Sequence, residues 1–261
     1  MGKKWQKDRK KDRFYKQAKK EHYRSRAAFK LKQINKRFKI IKKKNVVVDL
    51  GAAPGGWLQI TGEMVGEEGF VLGIDLEGID AFDKKNIMTI QEDITDKKII
   101  EKIKEILPKD ADIVISDASP DISGVWDIDH FRSVELARTA LGIANELLPP
   151  GGNFMVKVFQ GGELKGFTEE VKRRFRITKI VKPEASRDKS SEVYILGKGL
   201  LDTPVRYGDE LEVTIEKLGK EGDGIAFVKG FPIIVEDAKV GEQLNVKIKK
   251  VTPKFAKGKV I

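Results

Sequence analysis

Lys157 stands inside Phe154-Met155-Val156-Lys157-Val158-Phe159, a run in which every neighbour is apolar. Burying an unpaired ammonium costs several kcal/mol. A lysine there either faces solvent from an edge strand or serves proton transfer, its pKa pushed down by burial or its charge held by acids. Two acids are candidates to hold it. Asp117 closes the apolar run Asp112-Ile113-Val114-Ile115-Ser116-Asp117 and is followed by Ala118-Ser119-Pro120. Glu192 opens Glu192-Val193-Tyr194-Ile195-Leu196, a position that an ordinary surface charge at a strand start also fills.

A second chemical feature is Val46-Val47-Val48-Asp49-Leu50-Gly51-Ala52-Ala53-Pro54-Gly55-Gly56-Trp57. Three β-branched residues make a short buried strand, small residues make a loop, and Trp57 begins a helical pattern with Ile60, Thr61 and Met64. Strand, glycine turn and helix are how a parallel α/β sheet builds a nucleotide pocket at its carboxyl edge. Glycines let the backbone approach a ligand closely. A dinucleotide loop would read G-x-G-x-x-G against a pyrophosphate. This one reads G-A-A-P-G-G with Asp49 just before it, and an acid there suits a cation better than a phosphate. S-adenosylmethionine, with its sulfonium and ammonium, fits that demand, so Gly51, Pro54, Gly55, Gly56 and Trp57 are expected to hold the donor. Asp75 ends Val71-Leu72-Gly73-Ile74-Asp75, placed to take ribose hydroxyls of an adenosyl group. Asp93, in Ile90-Gln91-Glu92-Asp93-Ile94, is placed to accept from an adenine amine. Either acid alone would pass as a loop acid or helix cap. One per strand end, with Asp117 at the same rim, they read as ligand residues.

The elements that must position these groups alternate. Strands are predicted near 46–50, 70–75, 87–91, 111–116, 153–159, 175–182 and 192–197, and helices near 57–65, 96–106, 129–147 and 163–174. The βαβα rhythm predicts a largely parallel Rossmann-like α/β sheet with helices on both faces. Ahead of it, Ala27, Leu31, Ile34, Phe38 and Ile41 step by four and three, a helix with Ser25 as its N-cap and Lys30 beside the apolar stripe. The first twenty or so residues lack such periodicity and are expected to be partly disordered. Beyond about residue 201 no helix is evident. Alternation at Leu211–Ile215, Ile225–Phe227, Ile233–Val235 and Leu244–Ile248 predicts about five short strands closing into a small C-terminal β-barrel. The expected units are a basic arm (1–24), the sheet domain (25–200) and the barrel (201–261).

Composition narrows the classes further. The 261 residues include no cysteine and two histidines, His22 and His130, which excludes disulfides and thiolate metal sites and leaves no metal centre to expect. No run approaches a membrane span, so a soluble, cytoplasmic protein is expected. The net charge of +11 is uneven: residues 1–44 hold 20 Lys or Arg against 3 Asp or Glu, whereas residues 45–201 hold 20 against 27. A basic block attracts phosphate chains through counterion release. Aromatics interleaved with it (Trp5, Phe14, Tyr15, Tyr23) are of the kind that stacks on bases.

Five segments together resemble the FtsJ/RlmE-type ribose 2′-O-methyltransferases. They are Tyr23–Leu31 (YRSRAAFKL), Asp49–Trp57 (DLGAAPGGW), Ser116–Pro120 (SDASP), Val156–Gly161 (VKVFQG) and Ser186–Tyr194 (SRDKSSEVY), in family order over about residues 20–198. The resemblance implies a catalytic Lys-Asp-Lys-Glu tetrad at Lys30, Asp117, Lys157 and Glu192. In it Lys157 is the general base, Lys30 supports the developing alkoxide and the acids orient the lysines. It also implies S-adenosylmethionine as cofactor and RNA as substrate, a uridine ribose in large-subunit (23S) ribosomal RNA, or the whole large subunit, coming first. Transfer RNA, or a non-catalytic role in ribosome assembly, are the alternatives. Asp121 departs from the asparagine many members carry after the proline. Residues 219–226, 230–235 and 240–242 resemble a TRAM domain, an RNA-binding barrel of the OB-like kind, and Lys247, Lys249, Lys250, Lys254, Lys257 and Lys259 suit that role. The oligomeric state stays open.

Overall fold

The run Val46-Val47-Val48 has no polar face, so it needs cover on both sides, and the fold supplies it. In the computed structural model, which describes residues 12–187, 189–219 and 221–261, the strand β1 (Val46–Leu50) is buried along its whole length. Around it run β2 (Phe70–Asp75), β3 (Ile87–Gln91), β4 (Ile113–Ser116), β5 (Asn153–Phe159), β6 (Phe175–Val181) and β7 (Glu192–Leu200). The sheet order is β3-β2-β1-β4-β5-β7-β6, parallel from β3 to β5, with β7 antiparallel to both β5 and β6. The order reverses between β1 and β4, and a crevice opens outside the carboxyl ends of strands at such a switch point.

The helices are α1 (Arg13–Lys20), α2 (Ala27–Phe38), α3 (Gly56–Val65), α4 (Ile99–Ile106), α5 (Trp126–Leu147) and α6 (Leu164–Lys172). One core packs residues of α4, α5 and α6 (Ile103, Val134, Ala144, Phe167) against one sheet face, and a second packs α2 and α3 (Leu31, Ile34, Trp57, Leu58) against the other. Both faces are therefore covered, as the βαβα rhythm predicts. Lys157 does not sit on an edge: β5 lies between β4 and β7, and the residue is 5% exposed.

Two expectations at the N-terminal end need correction. Part of the stretch expected to be disordered is the helix α1. Its N-cap Asp12 accepts from the backbone N–H of Phe14 and Tyr15, and Ala18 is buried with Phe29 and Ala185. One buried alanine per two turns is too sparse to register as periodicity. Trp5 lies outside the described residues. Ser25 is not the N-cap of α2; Arg26 holds that position and makes no side-chain cap bond. Ser25 instead packs its side chain over Gly56, where any Cβ would collide with its Oγ.

The C-terminal region is a curled six-stranded sheet, not five strands. It is built from β8 (Glu210–Thr214), β9 (Lys217–Leu218), β10 (Gly224–Val228), β11 (Phe231–Val235), β12 (Gln243–Val251) and β13 (Ala256–Val260), in the order β8-β12-β13-β11-β10-β9. Its own core includes Val213, Ala226, Ile233, Val246 and Ile248. β13 escapes the alternation rule because its sequence, AKGKV, carries one large apolar residue. No described helix is long and apolar enough to cross a membrane.

Candidate active site

The turn after β1 needs glycine at its first position. Gly51 has φ +73°, and a Cβ there would come within 2.5 Å of Ala118 Cα. This lets the loop after β1 press on the loop after β4. Gly51 and Ala52 donate their N–H groups to Ile74 O at 2.8 and 3.1 Å. Asp75 braces the same loop: Oδ2 accepts from Ala53 N at 2.8 Å and Oδ1 from Glu77 N at 2.9 Å.

Beside this turn lies a cavity of ≈ 650 Å³ at the carboxyl ends of the strands. Gly51, Asp75, Asp93 and Asp117 line it together, as their spacing predicts. Glu77, Glu92, Asp121 and Glu135 add to its negative charge, with Arg132 as counterweight and Phe131 as an aromatic wall. Asp93 accepts from Thr95 N and Oγ1, both at 2.8 Å, and those bonds hold its carboxyl below the usual range. The cavity is thus built for a ligand with a cationic centre.

Pro54, Gly55, Gly56 and Trp57 do not line that cavity. Gly55, at φ +101°, passes under Phe82 and Arg24, which leave no room for a Cβ. Gly56 lies beneath Ser25. Trp57 is 3% exposed, donates Nε1–H to Ala27 O at 2.8 Å and sets its ring 5.8 Å from that of Tyr194. Gly56 and Trp57 thereby join the loop to the start of α2, the helix that carries Lys30, while Pro54 and Gly55 meet Arg24 just ahead of it.

Asp49 does not face the cavity either. It is fully buried with both carboxyl oxygens lacking a partner, and burial, followed by repulsion from Asp117 and Asp75, pushes its pKa well above the ordinary value. The acid that suggested a cation is therefore a core group whose surroundings favour its neutral form, and the negative charge on the cavity comes from the ends of β2 to β4.

At the end of β5 the two lysines meet their acids. Lys30 Nζ, on α2, lies 2.8 Å from Glu192 Oε2. Lys157 Nζ donates to the carbonyl of Asp117 at 2.6 Å and stands 3.5 Å from its carboxylate. Tyr194 OH donates to Asp117 Oδ1 at 2.8 Å. Strand geometry explains the convergence. Lys157 pairs directly with Tyr194 across the β5–β7 ladder. Glu192, two residues earlier on β7, emerges on the same face, the face α2 covers. Burial raises the Asp117 carboxyl, but Lys157, Lys30 and the Tyr194 hydroxyl outweigh it and hold it below the usual range. Glu192 is held low in the same way, chiefly by Lys30 and then Lys157 against its burial. Both carboxylates are charged, and each lysine has an acid.

A second cavity of ≈ 380 Å³ opens on the other side of this cluster, lined by Arg26, Lys30, Arg187, Lys189, Ser190 and Glu192. Lys30 and Glu192 thus face a basic cavity while Asp117 faces the acidic one. Arg26 is tied to Asp12 and to the carbonyl of Ala185.

Tyr194 carries a role that sequence reasoning did not give it. The available signal was its place two residues after Glu192 on one strand face. Phe14 and Tyr23, read as base-stacking aromatics, pack against Phe29 instead, at 5.7 and 5.6 Å between ring centroids. Among the described residues no group of three or more His, Asp or Glu is placed to hold a metal ion. His130 is structural, with Nδ1 at 3.1 Å from Phe159 O and Nε2 accepting from Glu163 N.

Residues 23–200 match the family model of the FtsJ-like methyltransferases, and residues 204–261 match the TRAM domain. The chain is 52% identical over 246 residues to the ribosomal RNA large subunit methyltransferase E of Methanothrix thermoacetophila, covering 94% of this chain and 95% of that one. It is 49% identical to the protein of the same description from Halorubrum lacusprofundi, covering 94% and 91%. Among solved structures, a protein described as a ribosomal RNA methyltransferase from Plasmodium falciparum superposes with a TM-score of 0.61 at 30% identity, covering 68% of this chain and 98% of that one.

Proposed function

The chain belongs to the FtsJ-like methyltransferase family, enzymes whose methyl donor is S-adenosylmethionine, and from that premise we propose that its acceptor is a ribose 2′-hydroxyl of RNA, a uridine in large-subunit ribosomal RNA. One observation carries this reading: the lysine–acid cluster sits between an acidic cavity and a basic one. A cationic donor suits the first and a strand of phosphates the second, and Lys157 is bonded to Asp117, which lines the first. The relatives described as large-subunit ribosomal RNA methyltransferases support the choice of RNA.

The residues present fit the donor. Asp75 and Asp93 line the acidic cavity and each carboxylate keeps free lone pairs, while the backbone at Gly51 is bare. Asp75 would take the ribose hydroxyls, Asp93 the adenine amine, and Asp117 would face the charged end. Pro54 to Trp57 act at one remove, through the start of α2 and the Arg24 just ahead of it. When bound, S-adenosylmethionine supplies a methyl group made electrophilic by its sulfonium.

Lys157 acts as the neutral amine: it first releases its ammonium proton to solvent and then takes the proton from the 2′-hydroxyl. Lys30, held by Glu192, stabilises the developing alkoxide. Asp117 aims Lys157 through its carbonyl, and Tyr194 keeps the Asp117 carboxylate from swinging away. Much of the rate comes from holding the acceptor oxygen in line. In this reading the arm (1–24) and the TRAM unit (201–261) bring RNA to the catalytic unit (25–200).

Lys157→Ala is expected to lower methyl transfer about 10²–10⁴-fold while labelled S-adenosylmethionine still binds; near-normal turnover would end the base assignment. Replacing the target ribose by its 2′-deoxy form should abolish transfer, and methylation that persists would move the acceptor to the base. Mapping 2′-O-methyl sites in ribosomal and transfer RNA, with and without the protein, decides between the two substrates.

A further inference from the structure

At the opposite end of the sheet from the lysine cluster, the catalytic unit meets the C-terminal sheet. The seam is fixed. Arg173 donates to Asp209 Oδ1 at 2.6 Å and to the Tyr207 carbonyl at 3.3 Å, Lys172 Nζ lies 4.0 Å from the centroid of the Tyr207 ring, and Leu201 N bonds Arg174 O at 2.8 Å. Two cavities flank it, of ≈ 560 and ≈ 570 Å³, sharing Pro150, Leu200, Leu201 and Asp202 as a common wall.

Their charge is one-sided. Arg173, Arg174 and Arg206 line the first, and Lys39, Lys42, Arg176 and Lys198 the second, while Asp202 is the one acid in either lining. Arg173 is used by the clasp, and Lys198 donates to the Phe38 carbonyl. Among the described residues Lys39, Lys42, Arg174, Arg176 and Arg206 have no carboxylate partner within ion-pair distance. Arg174 is partly buried, with Arg206 close enough to repel it. Four of the seven, Arg173, Arg174, Arg176 and Lys198, belong to residues 45–201, which hold 20 basic against 27 acidic side chains. The positive charge collects at the seam from the stretch after α2, from the turn into β6, from β6 and β7, and from the segment leading into β8. Unpaired guanidinium groups gathered in a cleft match phosphate oxygens.

We propose that this seam is a second phosphate-binding track, which takes the backbone of an RNA segment distant from the nucleotide being methylated. It rests on RNA as the substrate. The separation supports a second segment: β5 runs from Asn153, beside the second seam cavity, to Lys157 and on to Phe159, the partner of Glu192, about 13 to 20 Å at strand rise. A short hairpin seated in the active site reaches one end; a large folded RNA engages both.

The test uses the full chain carrying Lys42→Gln, Arg176→Gln and Arg206→Gln, all exposed positions. Binding to 60-nucleotide oligouridylate is measured against salt, where the slope of log affinity should flatten by ~2 for three lost single-strand contacts. In methyl transfer, KM for complete large-subunit ribosomal RNA should rise about tenfold at physiological salt, with kcat and the KM of a short target hairpin unchanged. An unaltered salt slope overturns the proposal. So does an equal loss on hairpin and long RNA, or a fall in thermal stability that accounts for the loss. Weaker binding to assembled subunits with unchanged binding to naked RNA would make the seam a protein contact and also overturn it. If the slope flattens but no RNA is methylated by the unmodified enzyme, the track stands and the substrate reading fails.

Discussion

Lys30 and Lys157 solve one problem in two ways. Each must carry an ammonium into a nearly dry place, and each is 9% exposed or less. Lys30 takes a direct ion pair with Glu192, whereas Lys157 leans first on a carbonyl and only then on a carboxylate. The Asp117 carboxylate is left to Tyr194, whose phenol is pushed well above its ordinary pKa by burial and by Asp117 and stays a donor. Tyr194→Phe should therefore lower kcat about tenfold and stability by about 1 kcal/mol, with S-adenosylmethionine affinity unchanged. Single-turnover rates beside calorimetric titration of the cofactor check this, and an unchanged rate would remove Tyr194 from the machinery. Asp49 gives a pH prediction. Its folded-state pKa is raised, so the native state keeps a proton that the unfolded chain loses above a pH of about 4. The stability it contributes is full below that pH and declines as pH rises, by up to about 1.4 kcal/mol per unit, until the folded pKa is reached. Asp49→Asn removes this dependence. The Tm of the variant minus that of the wild type should grow as pH rises above about 4, and parallel curves would mean that Asp49 does not hold the extra proton.

Among the elements, α1 and α2 matter most, because Lys30 rides on α2 and the rest of the cluster on the sheet. The loop after β1 locks that helix in place through Ser25 on Gly56 and Trp57 on Ala27. Asp12 locks α1 to the same region, capping the helix and pairing with Arg26 and, at 3.9 Å, Arg187. Asp12→Ala should cost α1 about 1 kcal/mol from the cap alone. Limited proteolysis between residues 13 and 22 should accelerate while the main unfolding transition barely moves, since Ala18 is the one residue of α1 that is fully buried; unchanged cleavage would show α1 held by packing instead. The loop glycines illustrate a limit of motif reading. Gly51, Gly55 and Gly56 all lie where protein atoms, those of Ala118, of Phe82 and Arg24, and of Ser25, would meet a Cβ, and of the three only Gly51 also lines the cavity.

Across the whole molecule, charge is sorted by place. The acidic cavity at the strand ends, the basic cavity beside Lys30 and the basic seam at the other end form three separate fields. A net count over residues 45–201 leaves out Arg26, Lys30, Lys39, Lys42 and Arg206, which line the basic fields, and so makes the catalytic unit look repellent to RNA. The seam residues come from separate stretches, Lys39–Lys42, Arg173–Arg176, Lys198 and Arg206, so each short basic run is visible in the sequence but their meeting in one cleft is not. The basic arm, by contrast, stands out in the sequence, though Phe14 and Tyr23 in its described part pack against Phe29.

Elements and rim residues were legible because their causes are local. Val46-Val47-Val48 can only be an interior strand, a glycine turn must follow it, and a lysine inside an apolar strand must have partners. Those facts set the α/β sheet, the C-terminal β-unit and the set of side chains worth watching. What tertiary structure decided depends on register and direction. Tyr194 reaches Asp117 because β7 runs antiparallel beside β5 in one register. Asp49 points into the core while Asp75, on the neighbouring strand, points to the rim. Both leave the sheet on the same side, since Asp49 pairs with Gly73 and Asp75 follows two residues later. What separates a buried acid from a charged cavity wall is its depth along the strand, and that depth is fixed only once the neighbouring strands and α3 are in place.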